Sequence, residues 1–216
     1  MTNANVVRGL LGPDQVELLR AKLSQARWVD GKTTAGPDAA RLKHNLQLEL
    51  GSPPHTELSD LVKRALNGSE PFKQLTLPRR VSQFLFSRYL VGMQYGPHTD
   101  DALRAHELLR TDIAVTIFLS DPASYDGGAL VVDDQALRLA AGDAVVYPAS
   151  TIHRVSEVTR GERLAIVFWV QSLVRDEARR EILHSLHHVI GKLDNAALSL
   201  VLSRVHQNLQ RMWLEI

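Results

Sequence analysis

The chain has 216 residues, 44% of them hydrophobic and 23% charged, enough for one sizeable core with appendages and too apolar for a disordered chain. Lys and Arg number 25 against 24 Asp and Glu, a formal charge of +1, so bulk electrostatics make no case for nucleic acid or an acidic membrane. With no cysteine, disulfides, thiolate-held zinc, iron–sulfur clusters and thiol catalysis are excluded, and any metal must rest on His, Asp, Glu or backbone oxygen.

The first eight residues carry neither the basic stretch nor the apolar run of a leader, and no segment has the length of apolar sequence that crosses a bilayer. A soluble, cytoplasmic protein is expected. Gly12-Pro13-Asp14 opens a helix with Val16, Leu19, Leu23 and Ala26 at helical spacing, ending near Trp28 and Gly31. Leu46, Leu48 and Leu50 alternate as in a strand that Ser52-Pro53-Pro54 stops. A second amphipathic helix carries Leu58, Leu61, Val62, Ala65 and Leu66, with Asn67-Gly68 as its terminator. The segment 1–80 therefore reads largely as helical support.

From Val81 the pattern turns to short β-rich runs: Phe84–Val91, Ile113–Ser120, Ala129–Val132, Ala144–Tyr147 and Arg163–Gln171. Asp126-Gly127-Gly128 and Ala141-Gly142-Asp143 are turns in which glycine relieves the cost of positive φ. This spacing predicts a sandwich or a two-sheet jelly roll over 81–172, able to hold a small ligand between its sheets. The segment 173–216 is helical again. Ala178, Ile182, Leu186 and Val189 form one stripe, and Leu198, Val201, Leu202, Val205, Leu209 and Met212 another. Joined near Lys192-Leu193-Asp194, they read as a helical hairpin that either caps the β core or makes a subunit contact.

His98-Thr99-Asp100 is the place where chemistry concentrates. On an extended strand, residues two apart point to one face, so both side chains can reach one metal ion. His153, from another strand, completes two imidazoles and one carboxylate. That set occupies one face of an octahedron, leaves three positions open, and is the ligand set of non-haem Fe(II) oxygenases. Ten residues after His153 stands Arg163, on one strand face with Ala165, Val167 and Trp169. An interior arginine needs an anion to offset its burial. Each residue also has a plainer reading: His98 and Asp100 as a hydrogen-bonded strand end, and Arg163 as a strand-start charge reaching for water after Gly161.

The surrounding pattern separates these readings. Arg88, Tyr89, Gly92, Tyr95, His98 and Asp100 stand in the order R-Y-x-x-G-x-x-Y-x-x-H-x-D, which resembles the signature of 2-oxoglutarate- and Fe(II)-dependent hydroxylases of the prolyl 4-hydroxylase superfamily. Phe118–Pro122, Tyr125–Gly128, Gly142-Asp143 with Tyr147–Ser150, Val158–Gly161, Phe168-Trp169 and Val170–Asp176 narrow it. So do Trp28–Gly31 and Asn45–Leu48. Together they resemble the bacterial PKHD-type hydroxylases, a group linked to iron uptake, from about Val16 to about Leu193.

That resemblance implies an α+β protein with a double-stranded β-helix (jelly-roll, cupin-like) core. It implies His98, Asp100 and His153 as iron ligands and catalytic residues, and Arg163 as the grip on the distal carboxylate of 2-oxoglutarate. One of Tyr89 and Tyr95 would donate a hydrogen bond to that cosubstrate, though both also fit as amphipathic strand residues. The implied activity is a dioxygenase that hydroxylates an unidentified small molecule or protein side chain, decarboxylates 2-oxoglutarate to succinate, uses L-ascorbate to rescue oxidised iron, and is linked to iron homeostasis. Between Gly128 and Ala141 this chain is shorter than the family pattern, which bears on the loop facing the substrate.

Other readings are weaker. A cupin-like binding or sensor protein without hydroxylase activity would share the Gly142-to-His153 half of the site, but cupins usually offer His-x-His with a glutamate where this chain has His-x-Asp. His184 and His188 have zinc spacing on a helix, yet the H-E-x-x-H glutamate is missing and Glu177, Arg180 and Glu181 share their face. Ser150 and His153 lack a G-x-S-x-G elbow, which discounts a serine hydrolase. No nucleic-acid or membrane partner is expected, and a homo-oligomer through the C-terminal helices is the partner the sequence suggests.

Overall fold

The computed structural model describes residues 4–215; Met1–Asn3, part of the stretch read for a leader, lie outside it. The N-terminal part runs through β1 (Asn5–Val7), α1 (Pro13–Ser24), β2 (Trp28–Asp30), α2 (Pro37–Leu42), β3 (Lys43–His44), β4 (Leu46–Leu48), α3 (Pro53–Gly68) and α4 (Glu70–Thr76). The middle holds β5 (Pro78–Val81), β6 (Leu85–Tyr89), β7 (Gln94–His98), β8 (Leu103–Arg104), β9 (Leu109–Arg110), β10 (Ile113–Phe118), β11 (Asp126–Gly127), β12 (Leu130–Val132), β13 (Gln135–Leu137), β14 (Ala144–Pro148), β15 (His153–Val155), β16 (Val158–Arg160) and β17 (Arg163–Ser172). Two helices close the chain, α5 (Glu177–Gly191) and α6 (Ala196–Trp213).

Both long N-terminal helices start where their sequences say. Pro13 and Pro53 occupy first-turn positions whose N–H would be unpaired anyway. Gln15 closes back on the Gly12 N–H, and the Ser52 hydroxyl accepts from the His55 N–H. Helix α1 stops at Ser24, earlier than its apolar spacing suggested, because Trp28 is drawn into β2 against β4.

Two antiparallel sheets face each other. The larger runs β1-β14-β10-β17-β6-β4-β2, with β5 also on β17; the smaller runs β13-β12-β15-β7-β3. Strand alternation explains the layering. In β17, Leu164, Ile166, Phe168 and Val170 join Leu19, Leu23, Leu58, Val62 and Phe72 of the helices in one buried cluster. The opposite faces of the same strands, with Leu85, Tyr89, Phe118, Tyr147 and Trp169, meet Leu130, Val132 and Val155 of the smaller sheet in a second cluster. Each fully buried Phe or Leu contributes about 1.5–3 kcal/mol to this sandwich of helix layer and two sheets. The five expected β runs all appear as strands.

The first eighty residues do more than brace the core. β1, β2 and β4 extend the larger sheet, and β3 pairs with β7 in the smaller one. Leu48 enters the core as its alternation predicts, but Leu50 is 37% exposed while Lys43, Asn45 and Gln47 are buried. Polar residues of β3, of β4 and of the link between them point inward as well as the leucines.

Two glycines fix how these pieces dock. At Gly142 (φ +94°) a Cβ would run into the Leu11 carbonyl, where the Leu11 N–H also donates to the Gly142 carbonyl at 3.0 Å. Gly142→Ala should therefore cost roughly 2–4 kcal/mol, measured as a lower urea midpoint at unchanged slope. At Gly31 a Cβ would overlap the Asn45 side chain, so only glycine lets the turn after β2 lie against the chain leading into β4.

The C-terminal hairpin departs from its expected packing. On α5 the buried residues are Arg180 and Leu183, whereas Ile182 (48%) and Val189 (50%) stay exposed. The Arg180 guanidinium turns back to donate to the Val174 and Arg175 carbonyls, which rotates the helix so that its predicted stripe faces outward.

Candidate metal centre

His98 closes β7 and His153 opens β15; the two are direct register partners across the sheet, with ring centroids 4.2 Å apart. Asp100 lies two residues beyond the strand end, its N–H donating to the Ala149 carbonyl at 3.2 Å. The expectation of one continuous strand under His98 and Asp100 is thus modified: the chain leaves the ladder, and Ala149 holds the carboxylate in position instead. The Asp100 Oδ1 sits 4.0 Å from His98 Nε2 and 3.8 Å from His153 Nε2. Donor atoms of the three residues all lie within 4.8 Å of one another, and no other such group occurs among the described residues.

The imidazoles are oriented for ligation. His98 Nδ1 lies 2.8 Å from the Gly96 carbonyl and His153 Nδ1 3.0 Å from the Thr151 carbonyl. A carbonyl only accepts, so each Nδ1 carries the proton and each Nε2 offers its lone pair toward Asp100. Burial, reinforced by His153, lowers His98 to about 4, so at neutral pH its ring is uncharged and available to a metal. Burial raises Asp100 against the opposing pull of His153 and the Trp169 indole N–H, which lies near its carboxylate without a well-formed hydrogen bond to Oδ2. Two neutral nitrogen donors and one carboxylate, crowded and unsatisfied, fit a divalent ion of the iron class.

Arg163, the first residue of β17, is 1% exposed, and its Nε and Nη1 have no hydrogen-bond partner among the described residues. Its register partner on β6 is Tyr89, whose ring lies 5.1 Å from the guanidinium, with Phe118 at 5.5 Å. A buried guanidinium without a carboxylate is costly unless an anion joins it, so this position fits the acid end of a dicarboxylate. Tyr95 stands elsewhere, its ring stacked on His98 at 3.7 Å.

His98, Asp100, His153, Arg163, Tyr89 and Tyr95 line one cavity of about 530 Å³ between the sheets. Among the wall residues not singled out in the sequence are two cations. Lys43, 6% exposed, faces in from β3 with Nζ 5.4 Å from the Tyr95 ring centre; burial, then Arg104, lowers it to about 8. Arg104 lies 4.5 Å over the Trp169 ring and pairs with Glu107. A lysine in step with Asn45 and Gln47, just ahead of the leucine run, was the available signal for Lys43, masked by the leucines that follow. His184 and His187 are partly buried and His188 exposed on α5, with no third ligand assembled beside them among the described residues. Ser150 is exposed.

Residues 84–171 match the 2OG-Fe(II) oxygenase superfamily. A PKHD-type hydroxylase of Gluconacetobacter diazotrophicus is 43% identical over 220 residues, covering 96% of this chain and 97% of its own. Another, of Methylobacterium nodulans, is 42% identical over 223 residues, covering 97% and 98%. Among solved structures, a Pseudomonas putida prolyl-4-hydroxylase shares the fold, with a TM-score of 0.56 at 18% identity, over 80% of this chain and 94% of that one.

Proposed function

The chain belongs to the PKHD-type hydroxylases, Fe(II)- and 2-oxoglutarate-dependent enzymes of the 2OG-Fe(II) oxygenase superfamily, and on that footing we propose that His98, Asp100 and His153 hold its iron and Arg163 the distal carboxylate of 2-oxoglutarate. The bound metal and cosubstrate supply dioxygen activation, with decarboxylation to succinate and hydroxylation of a substrate not yet identified. The protein's part is placement. Backbone carbonyls fix the imidazole tautomers, β17 sets Arg163 on the cavity wall, and the two sheets hold the metal and cosubstrate positions in one cavity.

The observation that carries the assignment is the buried, unpartnered Arg163 guanidinium on the wall of the cavity that holds the triad. Tyr89, across the ladder from Arg163, is the better placed tyrosine for the cosubstrate, while Tyr95 packs against a metal ligand. The cupin-like sensor reading is not favoured, because its ligand pattern differs from His-x-Asp and the full-length relatives are hydroxylases. Supplied with Fe(II) and O2 but no substrate, the protein should convert 2-oxoglutarate slowly to succinate and stop on chelation. No succinate from iron-replete protein would contradict the reading.

We read the facing sheets as a double-stranded β-helix over 81–172, flanked by support in 1–80 and an extension in 173–216; the sheet order and the shared cavity support this division. L-Ascorbate as a reductant, a role in iron homeostasis and a cytoplasmic location rest on the sequence resemblance and composition. No helix among the described residues is long and apolar enough to cross a membrane. For the C-terminal hairpin, exposed Leu198 (54%), Val201 (48%), Val205 (41%) and Met212 (72%) on α6 favour a contact between copies over a cap. Val201→Asp should shift sedimentation toward monomer; an unchanged profile would remove that contact.

A further inference from the structure

Arg163 is not the only uncompensated cation in the cavity. Lysine is almost never fully buried unless paired. Yet Lys43 is 6% exposed, its side-chain hydrogen bond goes to Thr34, and it forms no ion pair with a carboxylate among the described residues. The nearest acids, Asp100 and Asp30, act on it only through longer-range attraction, and Asp100 belongs to the metal. Its ammonium is nevertheless held in place. It donates to the Thr34 hydroxyl at 3.1 Å, and Thr34 in turn donates to the carbonyl of the buried Gln47 side chain. That leaves two of its three protons for another acceptor.

Lys43 and Arg163 reach the cavity from opposite sheets, β3 in the smaller and β17 in the larger. One carboxylate and two neutral imidazoles leave a ferrous ion with a single positive charge, and Arg163 adds another. A 2-oxoglutarate dianion cancels both. Arg104, the other cation nearby, is already matched by Glu107. Among the buried groups of the wall the charge on Lys43 is left over; the one further carboxylate lining the cavity, Asp101, is exposed and makes no ion pair with it. A fixed, dry, unpaired ammonium has a large differential preference for an anion over a neutral group of the same shape.

Resting on the iron and cosubstrate assignment above, we propose that Lys43 is a specificity-determining residue that binds a singly charged oxyanion, a carboxylate in the first instance, on the substrate to be hydroxylated. The substrate class is then a molecule or side chain that enters the cavity as an anion while 2-oxoglutarate stays on Arg163.

The test uses full-length protein loaded with Ni(II) and saturating 2-oxoglutarate, titrated calorimetrically with benzoate and with benzamide, which share a shape and differ in charge. Wild type and Lys43→Arg should prefer benzoate by about tenfold or more; Lys43→Met should lose that preference while keeping 2-oxoglutarate affinity within roughly threefold. Lys43→Met should also melt at or above the wild-type temperature, because a methionine of similar length replaces an unpaired buried charge. A preference that survives Lys43→Met, or benzoate and benzamide binding alike or not at all to wild type, would overturn the proposal. So would a melting point several degrees lower, which would make Lys43 a structural tie to Thr34. Loss of 2-oxoglutarate binding in Lys43→Met would move the residue to the cosubstrate; failure of wild type to bind 2-oxoglutarate would strike the underlying assignment instead.

Discussion

Asp100→Ala protein should purify without stoichiometric iron and make no succinate from 2-oxoglutarate. Two imidazoles facing each other across β7 and β15 remain, but the anionic donor is gone, and affinity for Fe(II) should fall by more than the ~100-fold that loss of an outer-shell partner costs. The clearest readout is thermal. At a metal concentration of 100 times Kd, binding to the folded state adds about 2.7 kcal/mol. For a chain of this size that corresponds to a rise in Tm of about 5–10 °C. Wild type should show this rise with Fe(II) or Ni(II); the variant should not. Metal-free Asp100→Ala should melt close to or above metal-free wild type, because the desolvation of the carboxylate outweighs its weak contact with the Trp169 indole. A lower metal-free Tm with intact metal response would make Asp100 a structural residue.

Arg163→Met separates cosubstrate from metal. Iron binding should persist, since Arg163 touches none of the three ligands, while 2-oxoglutarate should bind more weakly by about 2–4 kcal/mol, roughly 30- to 700-fold in Kd. The ligand-free variant should be as stable as wild type or a few degrees more so, because the guanidinium it loses has two buried nitrogens without partners, beside the Tyr89 and Phe118 rings. An unchanged 2-oxoglutarate Kd would remove Arg163 from the site. An equal loss of metal would show that its role is to hold the fold of β17.

Much of this was legible because β17 is long and buried on both faces. Its period of two separates Leu164, Ile166, Phe168 and Val170 from Arg163, Val167 and Trp169, and the structure sends the first set to the helices and the second to the cavity. The runs at β6, β10, β12 and β14 carried the same apolar signal. β7 and β15 did not. Gln94–His98 and His153–Val155 carry little apolar sequence, because they present the histidines to the cavity. The direct pairing of His98 with His153 depends on a register that no local pattern encodes.

Lys43 escaped notice for a related reason. The leucines of 46–50 advertised an apolar face, whereas the face that matters carries Lys43 and Gln47, buried polar groups that only the assembled sheet brings to the cavity. In the C-terminal hairpin the helices were readable but not their orientation, since the hydrogen bonds of Arg180 to the preceding turn set the rotation of α5.

The most direct test is an anaerobic crystal structure with Fe(II) and 2-oxoglutarate. Iron is expected on His98 Nε2, His153 Nε2 and one Asp100 oxygen, the distal carboxylate of 2-oxoglutarate on Arg163, and Lys43 facing the remaining space, tied to Thr34 with no carboxylate on its ammonium. Iron bound elsewhere, or the distal carboxylate on Lys43 with Arg163 unengaged, would contradict it.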